Sequence, residues 1–417
     1  MPMTSADRSS RWPVWLCWLA MVLDGFDLVV LGTVIPTLIK SQELGFNAVG
    51  ATLAATISLV GVGLGALFIA PLSDRLGRRR LLIACVAWFS LFTLAIVIAP
   101  NVLVFSVFRF LAGLGLGACL PAALAYMNDY ATAEGSVGRS TTRTMTGYHV
   151  GAVLTAFLAL LLVPNWRMMF VIGGLAGLAL LPFLWFKLPE SLAPVRQAAD
   201  PVETAGFRDL AKRPYPLVAV GVGVASFMGL LLVYGLNTWL PQLMASAGYS
   251  ITAGITQLLV LNVGAVVGLV IAGILADKHG AKKVVLLWFG LSAVLLAVLS
   301  IKLQNELLLN AAVFVTGVFV FSSQVLVYAW VSQLFPSRLR ATALGYSAGV
   351  GRLGAILGPA VTGTLVAAGI AYPWGFYTFA AAALIAVAAL AIVPQRIAHA
   401  APPAKAQATR EPVSAKI

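Results

Sequence analysis

Residues 73–80 read SDRLGRRR, and residues 276–283 read ADKHGAKK. Each segment follows an apolar run, and the separation of 203 residues between Asp74 and Asp277 also aligns Gly77 with Gly280. Farther upstream the same offset aligns two more pairs of glycines, Gly61 with Gly264 and Gly65 with Gly268. A signature that recurs at the same place in both parts of a chain indicates an internal repeat, which predicts two similar halves.

The composition decides which solvent surrounds these halves. Hydrophobic residues make up 60% of the 417 residues and charged residues only 10%, against roughly 25% in a soluble domain. So few charges cannot cover a water-facing surface, so most of the chain must lie in lipid. The net charge of +13 does not indicate nucleic-acid binding, because the basic residues occur in short runs between apolar stretches. The three cysteines lie in apolar stretches without metal-ligand spacing, so no metal, cofactor or disulfide is predicted.

A membrane-spanning helix needs roughly 20 apolar residues. The sequence therefore predicts an all-α membrane protein with twelve transmembrane helices in two six-helix bundles. Runs of this length lie at 14–36, 48–72, 81–99, 102–128, 144–163, 167–186, 217–241, 253–276, 284–301, 307–333, 341–369 and 372–393.

Lysine and arginine counts predict the orientation of these helices. The loops on one side carry only Lys40, Arg167 and Lys302, and two further arginines, Arg109 and Arg352, lie inside helices. The other 22 of the 27 basic residues lie on the side of both termini. The positive-inside rule places that side in the cytoplasm, which predicts a multi-pass inner-membrane protein with both termini inside.

The long connection between the halves sets the domain boundaries. We predict an N-terminal bundle at 1–190, a charged and proline-rich cytoplasmic linker at 191–216, and a C-terminal bundle at 217–395. The tail at 396–417 is rich in alanine, proline and lysine and is predicted to be disordered.

Two carboxylates inside the first helix are the sharpest chemical feature. Asp24 and Asp27 are three residues apart, so they lie on roughly one helix face, and Asp24 is about 15 Å deep at 1.5 Å per residue. An ionised carboxylate at that depth is costly, so a proton carrier or a buried ion pair is expected. Arg109, inside the fourth helix, is assigned either to proton coupling or to a structural pair.

The substrate-binding candidates lie in the fifth, seventh, eighth and eleventh helices. Arg352 offers a guanidinium fork for a carboxylate, although a static pair with an aspartate is the alternative. His149 is suited to binding an anion, relaying a proton or bonding a neighbour. Asn237 and Asn262 are weaker pocket candidates, and Trp239 belongs either to the pocket or to the interfacial aromatic belt.

The repeated loops are candidates for a conformational gate. Their glycines permit a tight turn, their aspartates suit a helix N-terminus, and their arginines suit carboxylates such as Asp129. The alternative is a solvated, positively charged loop. The predicted gate residues are Asp74, Arg75, Gly77, Arg78, Asp129, Asp277 and Gly280. The paired glycines upstream are predicted to be close-packing helix faces.

Five segments carry a resemblance to a known family: DGFDL at 24–28, RFLAGLG at 109–115, LPES at 188–191, NTWLP at 237–241 and GRLGAILGP at 351–359. Across nearly its whole length the chain resembles the aromatic acid:proton symporters of the major facilitator superfamily. The resemblance implies proton-coupled import of a benzoate-like or hydroxybenzoate-like anion. It carries over Asp24, Asp27, Asp74, Arg78 and Arg352 as functional positions.

The leading hypothesis is therefore a symporter that binds a small aromatic acid anion and protons and functions as a monomer in the bilayer. The alternative is a major-facilitator exporter of drugs or metabolites. A membrane-bound sensor would need an output domain, for which the linker is too short. An enzyme is disfavoured, because the sequence contains no evident nucleophile–base pair or metal set.

Overall fold

The computed structural model describes residues 12–134, 137–189 and 207–395. The side chains of residues 74, 75, 128–134, 137–145, 207, 337, 338 and 341 are outside this description. Every regular element in the described residues is helical. The residues 191–206 of the predicted linker and the tail at 396–417 lie outside the described part of the chain.

The first half of the chain, here called the N-terminal half, contains helices α1 to α6. Their bounds are α1 Trp12–Ser41, α2 Ala48–Leu64, α3 Arg78–Ala95, α4 Val102–Glu134, α5 Val137–Leu162 and α6 Trp166–Lys187. Two irregular turns, Gly65–Ile69 and Ala70–Leu72, extend α2 to the short helix Ser73–Leu76.

The C-terminal half contains helices α7 to α12, preceded by the short helix Phe207–Leu210. Their bounds are α7 Pro216–Ser246, α8 Ile251–His279, α9 Ala281–Leu299, α10 Glu306–Leu334, α11 Ser337–Ala367 and α12 Ala371–Ala391.

Eleven of the helices in the described residues are long and apolar enough to cross a membrane. The exception is α5, whose apolar part, Thr146–Leu162, is shorter than a full span. The predicted all-α membrane architecture is therefore confirmed. The twelfth span, the cytoplasmic location of the termini and the domain boundaries stay predictions.

The sequence repeat has a counterpart in the backbone. Gly77 ends the turn before α3 with φ 89° and ψ 139°, and Gly280 ends α8 with φ 88° and ψ 135°. This region of φ is open to glycine and strained for other residues, so both halves need glycine there. Side chains also cap equivalent helix starts: Asn47 accepts from the Gly50 N–H at 2.8 Å, and Ser250 accepts from the Ala253 N–H at 3.0 Å.

The repeat also governs packing inside each half. A Cβ on Gly61 would lie 2.3 Å from the Phe110 carbonyl oxygen of α4, and one on Gly264 would lie 2.2 Å from the Phe314 carbonyl oxygen of α10. Only glycine allows helices to approach this closely. The predicted close-packing faces are confirmed at these positions.

The two halves meet mainly through α1 with α7, α2 with α11, and α5 with α8. We call the helix ends that carry Gly77 and Gly280 the basic end and the opposite ends the far end. Near the far end, Gly32 of α1 lies against the backbone of Asn237 in α7, and Gly363 of α11 lies against Thr52 of α2. Contacts between glycine and the other half therefore close the molecule near its far end.

Candidate functional site

An ion pair inside the N-terminal half holds the deeper of the two α1 carboxylates. Arg109 Nη1 lies 2.9 Å from Asp27 Oδ2, and Arg109 Nη2 donates to the Asp27 carbonyl oxygen at 3.1 Å. The Thr93 hydroxyl of α3 donates to Asp27 Oδ1 at 2.8 Å. Arg109 is only 1% exposed, so water does not screen this pair. Of the arrangements expected for Asp27, the structure contains the buried ion pair.

Asp24 lies one turn nearer the basic end and has different surroundings. It is 2% exposed, and its Oδ1 has no hydrogen-bond partner in the described residues. The opposite charge that acts on it is Arg352, which belongs to the other half. Asp24 and Asp27 therefore share a helix but not a partner.

Arg352 stands near the middle of α11. Its Nη1 donates to the Tyr234 hydroxyl of α7 at 3.1 Å, and it makes no ion pair within the described part of the chain. Its charge also acts on Tyr148 and Tyr328. This guanidinium thus has a neutral hydrogen-bond partner and hydrogen-bonding groups to spare.

His149 lies where α5 meets the C-terminal half. Its ring is 5.3 Å from the ring of Tyr148 and 6.3 Å from that of Phe321 on α10, both nearly edge-on. The side chain is buried, and Nδ1 has no hydrogen-bond partner in the described residues. Tyr148 connects this position to the polar centre, because it interacts electrostatically with Asp24 and Arg352.

The weaker pocket candidates occupy the part of α7 nearer the far end. Asn262 Nδ2 donates to Asn237 Oδ1 at 3.1 Å, so the structure brings these two amides together. One atom of each amide, Asn237 Nδ2 and Asn262 Oδ1, has no partner among the described residues. The Trp239 indole is fully buried and donates to the Pro359 carbonyl at 2.9 Å. It therefore packs between α7 and α11 instead of facing lipid.

Three basic residues of the repeated loops donate to backbone carbonyls. Arg78 Nη1 donates to the Ala125 carbonyl of α4 at 2.7 Å, and Arg79 donates to the Trp185 carbonyl near the C-terminal end of α6. Lys282, which aligns with Arg79 in the repeat, donates to the Val393 carbonyl just beyond α12. Cations at helix C-termini are favourable, because the last carbonyls are otherwise unsatisfied.

The structure describes the side chains of only some of the other gate candidates. The side chains of Asp74, Arg75 and Asp129 lie outside the described residues, so their predicted contacts stay predictions. Asp277 is exposed and makes no ion pair within the described part of the chain.

Thr93 and Tyr234 complete the site and are absent from the sequence-based candidates. Each is one of only a few hydroxyl-bearing residues within an apolar run. Tyr234 lies three residues before Asn237, one helical turn away, and that spacing was the available signal.

The helical architecture, the repeat and the embedded charges invite comparison with known proteins. A sequence model of the Major Facilitator Superfamily matches residues 17–271 and 257–416. The chain belongs to the major facilitator superfamily. It is a multi-pass membrane transporter and not an enzyme.

Similar members of the superfamily are named for aromatic acids. A gentisate transporter of Corynebacterium glutamicum is 35% identical over 90% of this chain and 86% of its own length. A benzoate transport protein of Acinetobacter baylyi is 31% identical over 91% and 87% of the two chains. A 3-(3-hydroxy-phenyl)propionate transporter of Escherichia coli is 34% identical over 88% and 90%. These relatives confirm the resemblance to aromatic acid transporters.

Solved structures of major facilitator transporters share the fold. The crystal structure of a D-xylose-proton symporter matches with a TM-score of 0.75 at 16% identity, over 92% of this chain and 97% of that chain. An inward-facing bacterial homologue of the lysosomal transporter Spinster matches with a TM-score of 0.69 at 18% identity, over 94% and 95%. At these identities the similarity establishes the architecture alone.

Proposed function

We propose that this transporter imports a small aromatic carboxylate together with protons, by alternating access. The observation that carries the proposal is Arg352, an arginine near the middle of a membrane helix with no ion pair among the described residues. A charge at such depth is costly and persists where it serves a pathway or a ligand. A substrate carboxylate supplies the missing anion.

The contrast with Arg109 supports this assignment. Arg109 already has a carboxylate at 2.9 Å, whereas Arg352 has a tyrosine hydroxyl at 3.1 Å. A bidentate arginine–carboxylate pair is stronger than a single hydrogen bond from arginine to a neutral hydroxyl, so a substrate carboxylate binds Arg352 favourably. Tyr234 then retains its own hydroxyl proton for a second hydrogen bond to the same carboxylate.

Proton coupling follows from competition for this arginine. The charge of Arg352 in the other half favours the ionised form of Asp24, whereas burial favours the protonated form. When a substrate carboxylate binds Arg352, the effect of that charge weakens and Asp24 takes up a proton. A proton that enters with a monoanion moves no net charge, which avoids about 2.3 kcal/mol of electrical work per 100 mV.

Two observations support an aromatic substrate. The relatives above are named for gentisate, benzoate and hydroxyphenylpropionate. Aromatic side chains also surround the polar centre, since Tyr234 contacts Arg352 and Phe321 contacts His149. Flat rings pack well against such side chains in edge-to-face or offset arrangements.

Alternating access is supported by where the halves touch. Gly32 and Gly363 close the molecule near the far end, while the repeated loops stand at the basic end. We propose that the other state opens these glycine contacts and closes the basic end, where Asp74, Asp129 and Asp277 take part.

The test is uptake of labelled benzoate and hydroxybenzoates by a transporter-null host that expresses the chain. Uptake should be faster at acidic than at alkaline external pH and should collapse with a protonophore. Uptake that ignores the proton gradient, or loss of preloaded compound from cells, contradicts the proposal, and the latter would favour an exporter.

Asp24→Asn tests the coupling step directly. The amide resembles a protonated carboxyl group, so exchange of substrate should continue and lose its pH dependence, while concentrative uptake stops. Glu306→Gln is a matched control, because it removes an exposed carboxylate in the first turn of α10 that makes no ion pair within the described part of the chain. An exposed carboxylate of this kind contributes little, so this variant should transport normally.

A further inference from the structure

His149 is a buried polar group whose hydrogen-bonding capacity is incomplete. Only 6% of the residue is exposed, and Nδ1 has no hydrogen-bond partner in the described part of the chain. Buried polar atoms are almost always paired, so an unpaired one requires an explanation. One explanation is a ligand that supplies the missing partner.

The position of His149 indicates which ligand. Its ring lies edge-on to Phe321 of the other half, so the imidazole stands at the junction between the two halves. Tyr148, in ring contact with His149, also interacts electrostatically with Asp24 and Arg352. A molecule that binds Arg352 therefore lies near Tyr148, the neighbour of His149 on α5.

The hydrogen-bonding chemistry of His149 Nδ1 restricts which chemical group of a ligand could bind it. A neutral imidazole nitrogen donates or accepts one hydrogen bond, depending on the tautomer. Arg352 already accounts for the anionic group of the substrate, and the neighbouring Tyr148 and Phe321 rings favour a flat apolar body. The remaining group that matches His149 is a neutral hydroxyl, which also both donates and accepts.

We propose that His149 Nδ1 binds a hydroxyl group on the substrate ring, so that the transporter selects hydroxylated aromatic acids over the unsubstituted acid. This inference rests on the proposed function. The carboxylate binds Arg352 and Tyr234 in the C-terminal half, and the hydroxyl binds His149 in the N-terminal half. The substrate thereby bridges the halves, and its hydroxyl helps to hold them together.

The experiment measures how well unlabelled 2-, 3- and 4-hydroxybenzoate inhibit uptake of labelled benzoate, relative to unlabelled benzoate. In the wild type, at least one isomer should inhibit about tenfold more strongly, as one hydrogen bond to a buried group provides. His149→Phe should reduce this ratio to near one while benzoate uptake continues. His149→Gln, which keeps a hydrogen-bonding group, should retain part of the preference.

Gln257→Leu is the matched control. Gln257 is also buried, and its Oε1 has no partner among the described residues, but it lies on α8 towards the far end, so its removal should leave the ratio unchanged. Membrane levels of each variant are measured by immunoblot, so that misfolding is separated from altered selectivity.

Three outcomes are distinguishable. Equal loss of benzoate and hydroxybenzoate recognition in His149→Phe and His149→Gln, at normal membrane levels, would overturn the inference. A wild type that carries benzoate without preferring any isomer would overturn it as well, since water would then suffice as the partner of Nδ1. A wild type that carries no aromatic acid would overturn the proposed function itself, and with it this inference.

Discussion

Gly32→Ala should hold the transporter open at its far end. An added Cβ would lie 2.1 Å from the Asn237 carbonyl oxygen and 3.1 Å from the Thr238 Cα, both on α7 of the other half. These are backbone atoms, so no side-chain rotation relieves the clash. The contact exists only when α1 and α7 meet, so the penalty falls on the far-end-closed state.

The magnitude follows from the distances. A carbon atom contacts a carbonyl oxygen at about 3.3 Å, so the helices must separate by about 1.2 Å. Overpacking of this kind costs about 1–3 kcal/mol. If only the closed state bears that cost, the equilibrium shifts about 5–150-fold towards the open state.

Cysteine labelling measures the shift. The three native cysteines are replaced and Thr37→Cys is introduced, since Thr37 is a buried α1 residue near the far end. On the predicted orientation this end faces the outside of the cell, so a membrane-impermeant maleimide reports its opening. Gly32→Ala should raise the labelling rate at least about fivefold and lower net uptake correspondingly.

Two glycine variants serve as controls. A Cβ on Gly290 meets no atom within 4 Å, so Gly290→Ala should change neither labelling nor uptake. A Cβ on Gly354 would lie 1.9 Å from the Phe227 carbonyl oxygen within the same half, so Gly354→Ala should reduce stability without opening the far end. Wild-type labelling and uptake in Gly32→Ala would refute the assignment of this contact as the far-end closure.

The remaining predictions concern the charged residues. Asp27→Asn should abolish concentrative uptake and also lower the thermal stability of the purified protein. The variant leaves Arg109 buried without its counter-charge, which costs about 3–5 kcal/mol. Asp24→Asn should leave stability unchanged. Equal melting temperatures for the two variants would contradict the distinction. Lys282→Met should lower stability by about 0.3–1 kcal/mol without changing substrate affinity, which denaturation and binding assays would check. Asp74→Asn should slow turnover more than it weakens binding, and lost affinity at normal turnover would reverse its assignment to the gate.

The repeat is the part of the fold that the sequence predicts best. Glycines 203 residues apart, Gly77 and Gly280, have φ values of 89° and 88°. The agreement arises because a positive φ favours glycine, so the backbone conformation can be predicted from the glycine in the sequence. Membrane helices are equally predictable, since their length and composition must match the bilayer. The start of α5 is the exception, because its polar residues before Thr146 conceal the true beginning of the helix at Val137.

Partners inside the site are much harder to predict. Asp24 and Asp27 share a face in the sequence, yet only Asp27 pairs with Arg109. The choice depends on how α1 and α4 are rotated about their axes, and a nearly uniform apolar composition leaves that rotation undetermined. Thr93 was not predicted for the same reason, since a hydroxyl in an apolar run does not indicate which neighbouring helix it faces.

The basic loops have local contacts that the sequence did not predict. The arginines were predicted to suit carboxylates such as Asp129, whose side chain lies outside the described residues, so that pairing stays a prediction. Among the described contacts, Arg78, Arg79 and Lys282 each donate to a backbone carbonyl. The equivalent positions Arg79 and Lys282 cap the final helix of each half. Part of the conserved charge pattern between the two repeats therefore has a local cause in the unsatisfied carbonyls at helix ends.

The two halves are alike in backbone but differ in charge chemistry, and on our proposal this difference creates the coupling. The N-terminal half contains an ion pair, Asp27 with Arg109, and a carboxylate, Asp24, whose Oδ1 has no hydrogen-bond partner among the described residues. The C-terminal half contains Arg352, which has no carboxylate of its own among the described residues. On this proposal, the proton site and the anion site thus belong to different halves. Neither half contains both sites, so binding of a proton and a substrate anion requires the halves to approach. A transporter that holds only the proton or only the anion has an unbalanced buried charge. That penalty discourages movement of a half-loaded carrier, which is the condition for symport.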